Sequence, residues 1–311
     1  MVVFKRIRPL TELSSFFKES YDAIFIGAAI DDRTRAILNE IKIRSENTPV
    51  YQVSIDIESY DFYINGAKKS LRSLLTLFGD FKWLKDESKI LIESTSLDFS
   101  EILYVLQGIK ARNVNLSVYF SYLEPKDYKN RNSHLKEKEE FLLSDSRRKF
   151  LGLPGFSTNH LEGSSPYLLA LLGFEGQRLG QVLEEDDKAI FKNMVALVGL
   201  PAFKPGWENR SLHRHIEHFS HGTKIHPYPS TNPYQLTKIL DSFFSAYKQI
   251  VITSMGTKPA AIACAVFLIN NVSQNTRHKN VGAIYDFPKK SKERSIGVGE
   301  MYIYESVVSS E

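Results

Sequence analysis

Residues 250–271 read IVITSMGTKPAAIACAVFLINN, and this stretch decides the fold. A run of β-branched residues enters a short polar turn made by Ser254, Gly256, Thr257 and Lys258, and an apolar helix follows. Pro259 falls in the first turn of that helix, where a missing backbone N–H costs nothing. A continuously apolar strand is one covered on both faces, which is the condition of a strand in a parallel sheet.

Working outward, the same alternation recurs along the chain. Short apolar runs lie at Ala23–Ile26, 50–55, 90–92, 116–120, 168–174, 195–200 and Val281–Tyr285, with amphipathic stretches between them at 34–42, Phe99–Lys110, 235–247 and 260–271. Strand, helix, strand alternation implies right-handed crossovers, and predicts an α/β fold of two tandem Rossmann-like domains with mainly parallel sheets. The segment 126–149 breaks the pattern, being charged and poor in β-branched residues. The expected division is an N-terminal Rossmann-like domain at 1–128, a charged linker at 129–160 with a helix near 135–143, and a C-terminal Rossmann-like domain at 161–311 that carries the G-T-K-P loop.

The two sides resemble one another. YDAIFIGAAIDDRTRAIL from Tyr21 and YLLALLGFEGQRLGQVL from Tyr167 share a tyrosine, an apolar strand, a glycine, an acidic residue and a helix bearing arginine. The acid and the arginine are three apart in both, as Asp32 with Arg35 and Glu175 with Arg178. SKILIESTSLDFSEILYVLQGI from Ser88 matches KQIVITSMGTKPAAIACAVFLI from Lys248 as strand, polar turn and apolar helix. An internal duplication and a mere sharing of architecture both account for this, and both yield two similar α/β domains.

Ligands in open α/β sheets bind beyond the carboxyl ends of the strands, where the 254–258 turn lies. Its N–H groups and the helix dipole make an anion site to which Thr257 adds a hydroxyl and Lys258 a charge. An ordinary turn with Thr257 as N-cap is the plainer alternative. The matching turn of the first half offers Ser94 and Thr95 but no lysine, and Asp98 and Glu101 would repel phosphate; Ser96 or Asp98 as a helix cap explains it without a ligand. Arg35 and Arg178, each held by its acid, could clamp a phosphate with two hydrogen bonds, or could be local ion pairs.

SMGTKPAAIACAVF resembles the strand, G-T-K, helix motif of CRISPR-associated Rossmann-fold (CARF) domains. More loosely, the chain is similar to bacterial defence-island proteins that join a strand-acid-Arg helix to a strand-G-T-K-P helix. The resemblance covers about a fifth of the chain and carries over to Gly256, Thr257 and Lys258, with Ser254 beside them. It implies a cytoplasmic sensor or regulatory protein of antiviral defence that binds a phosphorylated small molecule or cyclic oligonucleotide, with a homodimer and an effector partner chain as expected associations. No nuclease, protease or helix-turn-helix module stands beside the two α/β units, so an effector would be another chain or lie hidden within one of them.

The alternative is an enzyme acting on nucleotides or nucleic acid, a phosphodiesterase or hydrolase. Five histidines, His213, His215, His218, His221 and His226, crowd one segment and could serve as acid, base or metal ligand, with Glu217 in reach. Their spacing is not that of a zincin, and nearby prolines point to a long irregular crossover. The phosphate-binding G-x-x-x-x-G-K-[ST] loop, the G-x-G-x-x-G dinucleotide fingerprint and the G-x-S-x-G elbow are all absent from the sequence. The sequence therefore leans away from an enzyme and names no cofactor.

Composition sets the outer limits. The 311 residues are 42% hydrophobic and 24% charged, which suits a globular chain and excludes low-complexity architectures. A single cysteine, Cys264, rules out intramolecular disulfides and multi-cysteine zinc sites; within its apolar helix it reads as a core residue. No apolar run is long enough to span a bilayer, and the opening MVVFKRIRPL lacks the apolar core of a signal peptide, so a cytoplasmic protein is expected. The net charge of +4 is concentrated in 126–149 and 277–294, which carry +3 and +4. These basic loops are either solvated or a contact for nucleic acid.

Overall fold

The chain begins with β1 (Val2–Leu10), β2 (Ala23–Ile26), helix α1 (Asp32–Arg44) and β3 (Val50–Asp56). A hairpin, β4 (Asp61–Ile64) and β5 (Ala67–Ser70), precedes β6 (Lys89–Glu93), helix α2 (Phe99–Lys110) and β7 (Leu116–Tyr128). The middle of the chain holds β8 (Ser144–Ser146), β9 (Leu151–Gly152), β10 (Tyr167–Leu171), α3 (Gly176–Glu184), β11 (Asn193–Leu200), α4 (Trp207–His215) and β12 (Lys224–Pro229). Then come α5 (Pro233–Tyr247), β13 (Ile250–Ser254), α6 (Lys258–Asn271), β14 (Val281–Tyr285) and β15 (Lys289–Lys290), and the chain ends in β16 (Ser295–Val308). This computed structural model describes residues 1–129, 143–146, 148–158, 165–186, 191, 193–220, 222–272 and 279–310. The helix expected near 135–143 lies almost wholly outside them.

The protein is a mixed α/β chain that divides into two units, residues 1–130 with 291–311 and residues 131–290. Unit 1 has a sheet in the order β1-β16-β7-β6-β2-β3-β4-β5. Its centre, β3-β2-β6-β7, is parallel, and antiparallel strands flank it on both sides. Its core joins Ile24, Leu91, Leu123 and Ile303 of the sheet to Ile37 and Ile41 of α1, two positions one helical turn apart.

Unit 2 has the order β12-β11-β10-β13-β14-β9, in which the first five run parallel and β9 is antiparallel. The chain winds outward from β10 through β11 to β12, then returns to β13 on the other side of β10. Alternate residues of β10 and β11, Leu168, Ala170, Ala196 and Val198, pack on Leu179 and Val182 of α3. α6 is buried from Pro259 to Ile269, which accounts for its having no polar face.

Three expectations need correction. The last strand does not belong with 161–311: β16 lies between β1 and β7 in the sheet of unit 1, antiparallel to both. Its alternating pattern states that one face is buried but not in which sheet, because pairing partners are remote in sequence. The run at 168–174 ends as a strand at Leu171, and Gly173 and Phe174 belong to the loop beyond. The segment around the histidines is not an irregular crossover; it forms α4 and the parallel strand β12. Prolines 227 and 229 are tolerated there because β12 is an edge strand.

A fragment of residues 1–128 lacks the strand that joins β1 to β7. It is expected to show no cooperative thermal transition by circular dichroism, whereas the same fragment fused through a short linker to residues 291–311 should regain one. Cooperative unfolding of 1–128 alone would contradict the pairing.

Candidate functional site

In unit 2 the winding reverses between β10 and β13, so the ligand crevice of this sheet type lies at the carboxyl ends of those two strands. The loops leaving them are in direct backbone contact. The Met255 N–H donates to the Leu171 carbonyl at 3.0 Å, and a Cβ placed on Gly173 would run into the Met255 carbonyl oxygen. A Cβ on Gly256 would lie 3.1 Å from the Leu172 carbonyl oxygen and 3.2 Å from the Tyr228 hydroxyl. Gly173 needs to be glycine because a neighbour occupies the place of a side chain, and Gly256 has only tight room for one.

The turn then opens α6. Thr257 holds the N-cap position with extended backbone angles, but its hydroxyl caps none of the helix N–H groups. Instead Thr257 Oγ1 is buried without a hydrogen-bond partner among the described residues, and so are the Tyr228 hydroxyl and Thr253 Oγ1. Thr257 exerts a weak pull on the Tyr228 phenol, so the two hydroxyls are neighbours, although neither bond reaches good geometry. Burial pushes that phenol well above the ordinary tyrosine value, which keeps it a neutral donor. Buried polar groups are nearly always satisfied, so these adjoining hydroxyls without a well-formed hydrogen bond set the start of α6 apart. Gly256, Thr257 and Lys258 are half-buried and Ser254 is buried behind them. Cys264 is fully buried in α6, and burial raises its thiol far above the range of a nucleophile.

Of the two acid-arginine pairs read from the spacing, Asp32 with Arg35 is formed and Glu175 with Arg178 is not. Arg178 is buried and forms a two-pronged pair with Asp286, at 2.8 and 2.5 Å, while reaching towards the Met255 carbonyl. Burial opposes its charge, and Asp286 outweighs that cost and holds it protonated. The Glu175 carboxylate turns away, accepting from the Leu143 N–H and the Ser144 hydroxyl. In unit 1, Arg35 is an exposed residue shared by Asp32 and Glu293, and Asp32 also accepts from the Gly297 N–H. The buried arginine of that helix is Arg33, which donates to Asp31, the Ser295 hydroxyl and the Leu123 carbonyl. Arg35 is thus held by its own i−3 acid and by Glu293 as an exposed ion pair, whereas Arg178 is held by Asp286 and not by Glu175.

Ser94 and Thr95 are both buried. The Ser94 hydroxyl donates to the Ile92 carbonyl, and Thr95 Oγ1 accepts from the Leu123 N–H. Asp98 caps α2 in a reciprocal box with Glu101, one of the two caps read from the sequence.

The histidines are dispersed. His213 is exposed on α4, His218 packs on Gly180, His226 meets the edge of the Phe243 ring, and His221 lies outside the described residues. Among the described residues no three His, Cys, Asp or Glu side chains are grouped to hold a metal. No described helix is long and apolar enough to cross a membrane. Of the basic loops, Lys279 donates to the Gly155 carbonyl, Lys289 and Lys290 form β15, and most of 126–149 lies outside the described residues.

Tyr228 and Asp286 are the two residues of this edge that sequence reading missed. The signal for Asp286 is an acid directly after an apolar strand, in YDFP, and that for Tyr228 is a tyrosine between two prolines. No family model matches the chain, and no curated protein is similar enough to stand as a relative.

Two of the described buried ionisable groups, His215 and Glu124, shift enough to affect stability between about pH 4 and 7. His215 is fully buried with neither ring nitrogen hydrogen-bonded among the described residues, and burial, with His218 adding to it, pushes it down to about 4. Its neutral form stabilises unit 2 fully above about pH 6.5, and this is lost as the pH falls towards 4. Glu124 of unit 1 is pushed up to about 7 by burial and then by Glu300. Its contribution is intact below about pH 4.5 and is lost as the pH rises through 7. Glu124→Gln should therefore raise stability at pH 8 by on the order of 1–3 kcal/mol and leave it unchanged at pH 4.5. Denaturant melts at the two pH values check this; an equal effect at both would refute it.

Proposed function

We propose that the carboxyl edge of unit 2 binds the phosphate of a nucleotide or cyclic oligonucleotide, and that the protein is a sensor or regulatory subunit rather than an enzyme. One observation carries the reading. The uncapped N-terminus of α6, at the reversal point of a parallel sheet, carries the orphaned hydroxyls of Thr257 and Tyr228 beside Lys258. Such a terminus favours an anion through its N–H groups and dipole, and the hydroxyls supply further donors to phosphate oxygens. Gly256 keeps the backbone open to close approach, while Ser254 supports the turn from behind.

The resemblance of residues 254–258 to the G-T-K loop of CARF domains points the same way. It extends the proposal to a homodimer, an effector partner chain and a cytoplasmic role in bacterial antiviral defence. The two units read as copies of one Rossmann-like module, each with a reversal point, a glycine after the first central strand and a buried arginine on the helix that follows. The catalytic alternative draws no support from the histidines, which point to different surroundings.

Calorimetric titration with ATP, AMP and a cyclic adenosine oligonucleotide tests the reading. Lys258→Ala and Thr257→Val are each expected to weaken the best of these ligands about tenfold or more, which is about 1.4 kcal/mol. Equal affinity in both variants would remove this loop from the site. Tyr228→Phe should also weaken binding while leaving the thermal midpoint of the unliganded protein nearly unchanged or higher, because it deletes an unsatisfied buried hydroxyl.

A further inference from the structure

The turn after β6 is the counterpart in unit 1 of the turn after β13. Each follows the strand next to the reversal point, and each leads into an apolar, buried helix. In unit 1 the donors of this turn are already taken. Glu93, the last residue of β6, is fully buried. One of its carboxylate oxygens accepts from the Thr95 N–H at 2.9 Å, and the other from the Ser96 N–H at 2.9 Å and from the Ser96 hydroxyl. The Ser96 oxygen in turn accepts from the Gly27 N–H at 2.8 Å, which ties in the loop after β2.

Two successive amides and a hydroxyl converging on a pair of anionic oxygens form a nest of the kind that captures phosphate or carboxylate groups from solution. A buried carboxylate held by N–H and O–H donors is the bonding pattern of a bound anion, supplied here by the chain itself.

We propose that the Thr95–Ser96 turn is an anion-binding site whose ligand is the protein's own Glu93 carboxylate. Small carboxylates are the chemical class it would take if Glu93 were shortened. This stands without the reading proposed for unit 2. Joined to that reading, it implies that each chain offers one such loop to external anions, the one at Lys258.

Glu93→Ala removes a CH2–COO⁻ group, so acetate is the missing piece. The variant is expected to melt below the wild type and to regain part of the difference as acetate is added, in a saturable manner, against equimolar chloride as control. The wild type, its seat filled, should show no such gain. A rise of equal size in both proteins, or none in the variant, overturns the proposal.

Should Glu93→Ala fail to fold, Glu93→Gln keeps the shape but sets an NH2 against one of the donors. Hydrogen exchange at Thr95 and Ser96 should then quicken while Leu91 and Ile92 of β6 stay protected, and unchanged exchange at the two turn amides overturns the proposal. Acetate rescue does not involve unit 2, so its failure and a failure of nucleotide binding at Lys258 are read separately.

Discussion

The constraint on which each unit depends is the passage of one backbone directly against another at the reversal point of its sheet. In unit 2, Gly173 lies where any side chain would strike the Met255 carbonyl oxygen, and in unit 1 a Cβ on Gly27 would come within 2.6 Å of the Ser96 carbonyl oxygen. Each glycine follows the first strand of the parallel set, and each carbonyl belongs to the turn after the strand on its other side. This closeness lets the two strand ends share hydrogen bonds, such as Met255 N–H to the Leu171 carbonyl and Gly27 N–H to the Ser96 hydroxyl. The helices that start from these turns then take their direction from a fixed point.

A buried arginine stands on the helix after that glycine in both units, with different partners. Arg33 is anchored by Asp31, its neighbour in sequence, and by Ser295 at the start of β16. Arg178 is anchored by Asp286, far along the chain at the end of β14. A guanidinium removed from water is tolerable only when its charge and its donors are matched, so removing either acid would leave an uncompensated buried charge. The two turns differ in the same logical way. The unit 1 turn closes on its own Glu93 carboxylate, whereas the unit 2 turn has no acid in that place and keeps its hydroxyls and lysine at the start of α6. The two turns thus differ in whether an acid of the chain itself occupies them.

Much of the strand and helix order could be read from the chain, because buried parallel strands and amphipathic helices write local patterns. The turn at 254–258 was legible for the same reason: Gly, Thr, Lys and Pro at a strand-to-helix junction have direct local consequences. Of the two i, i+3 pairings, Asp32 with Arg35 forms and is shared with further partners, whereas Glu175 with Arg178 misled, since spacing on a helix brings two side chains within reach but does not say which competitor is nearer. Glu293 and Gly297 compete at the first pair, and Asp286, Leu143 and Ser144 divide the second. Tyr228 was hidden because β12 is short, proline-bearing and at an edge, with little of the apolar run that marks a central strand.

The sequence by itself determined the α/β class, the strand-turn-helix at 250–271, a cap of α2 at Ser96 or Asp98 and the burial of Cys264, all of which follow from local composition and periodicity. Only the tertiary structure decided that β16 returns to the first sheet, that Arg178 answers to Asp286, that Tyr228 meets Thr257 at the head of α6 and that Glu93 fills the first turn. Each of these joins residues remote in sequence, and a one-dimensional pattern states that a face is buried or a charge needs a partner without naming what covers or pairs with it.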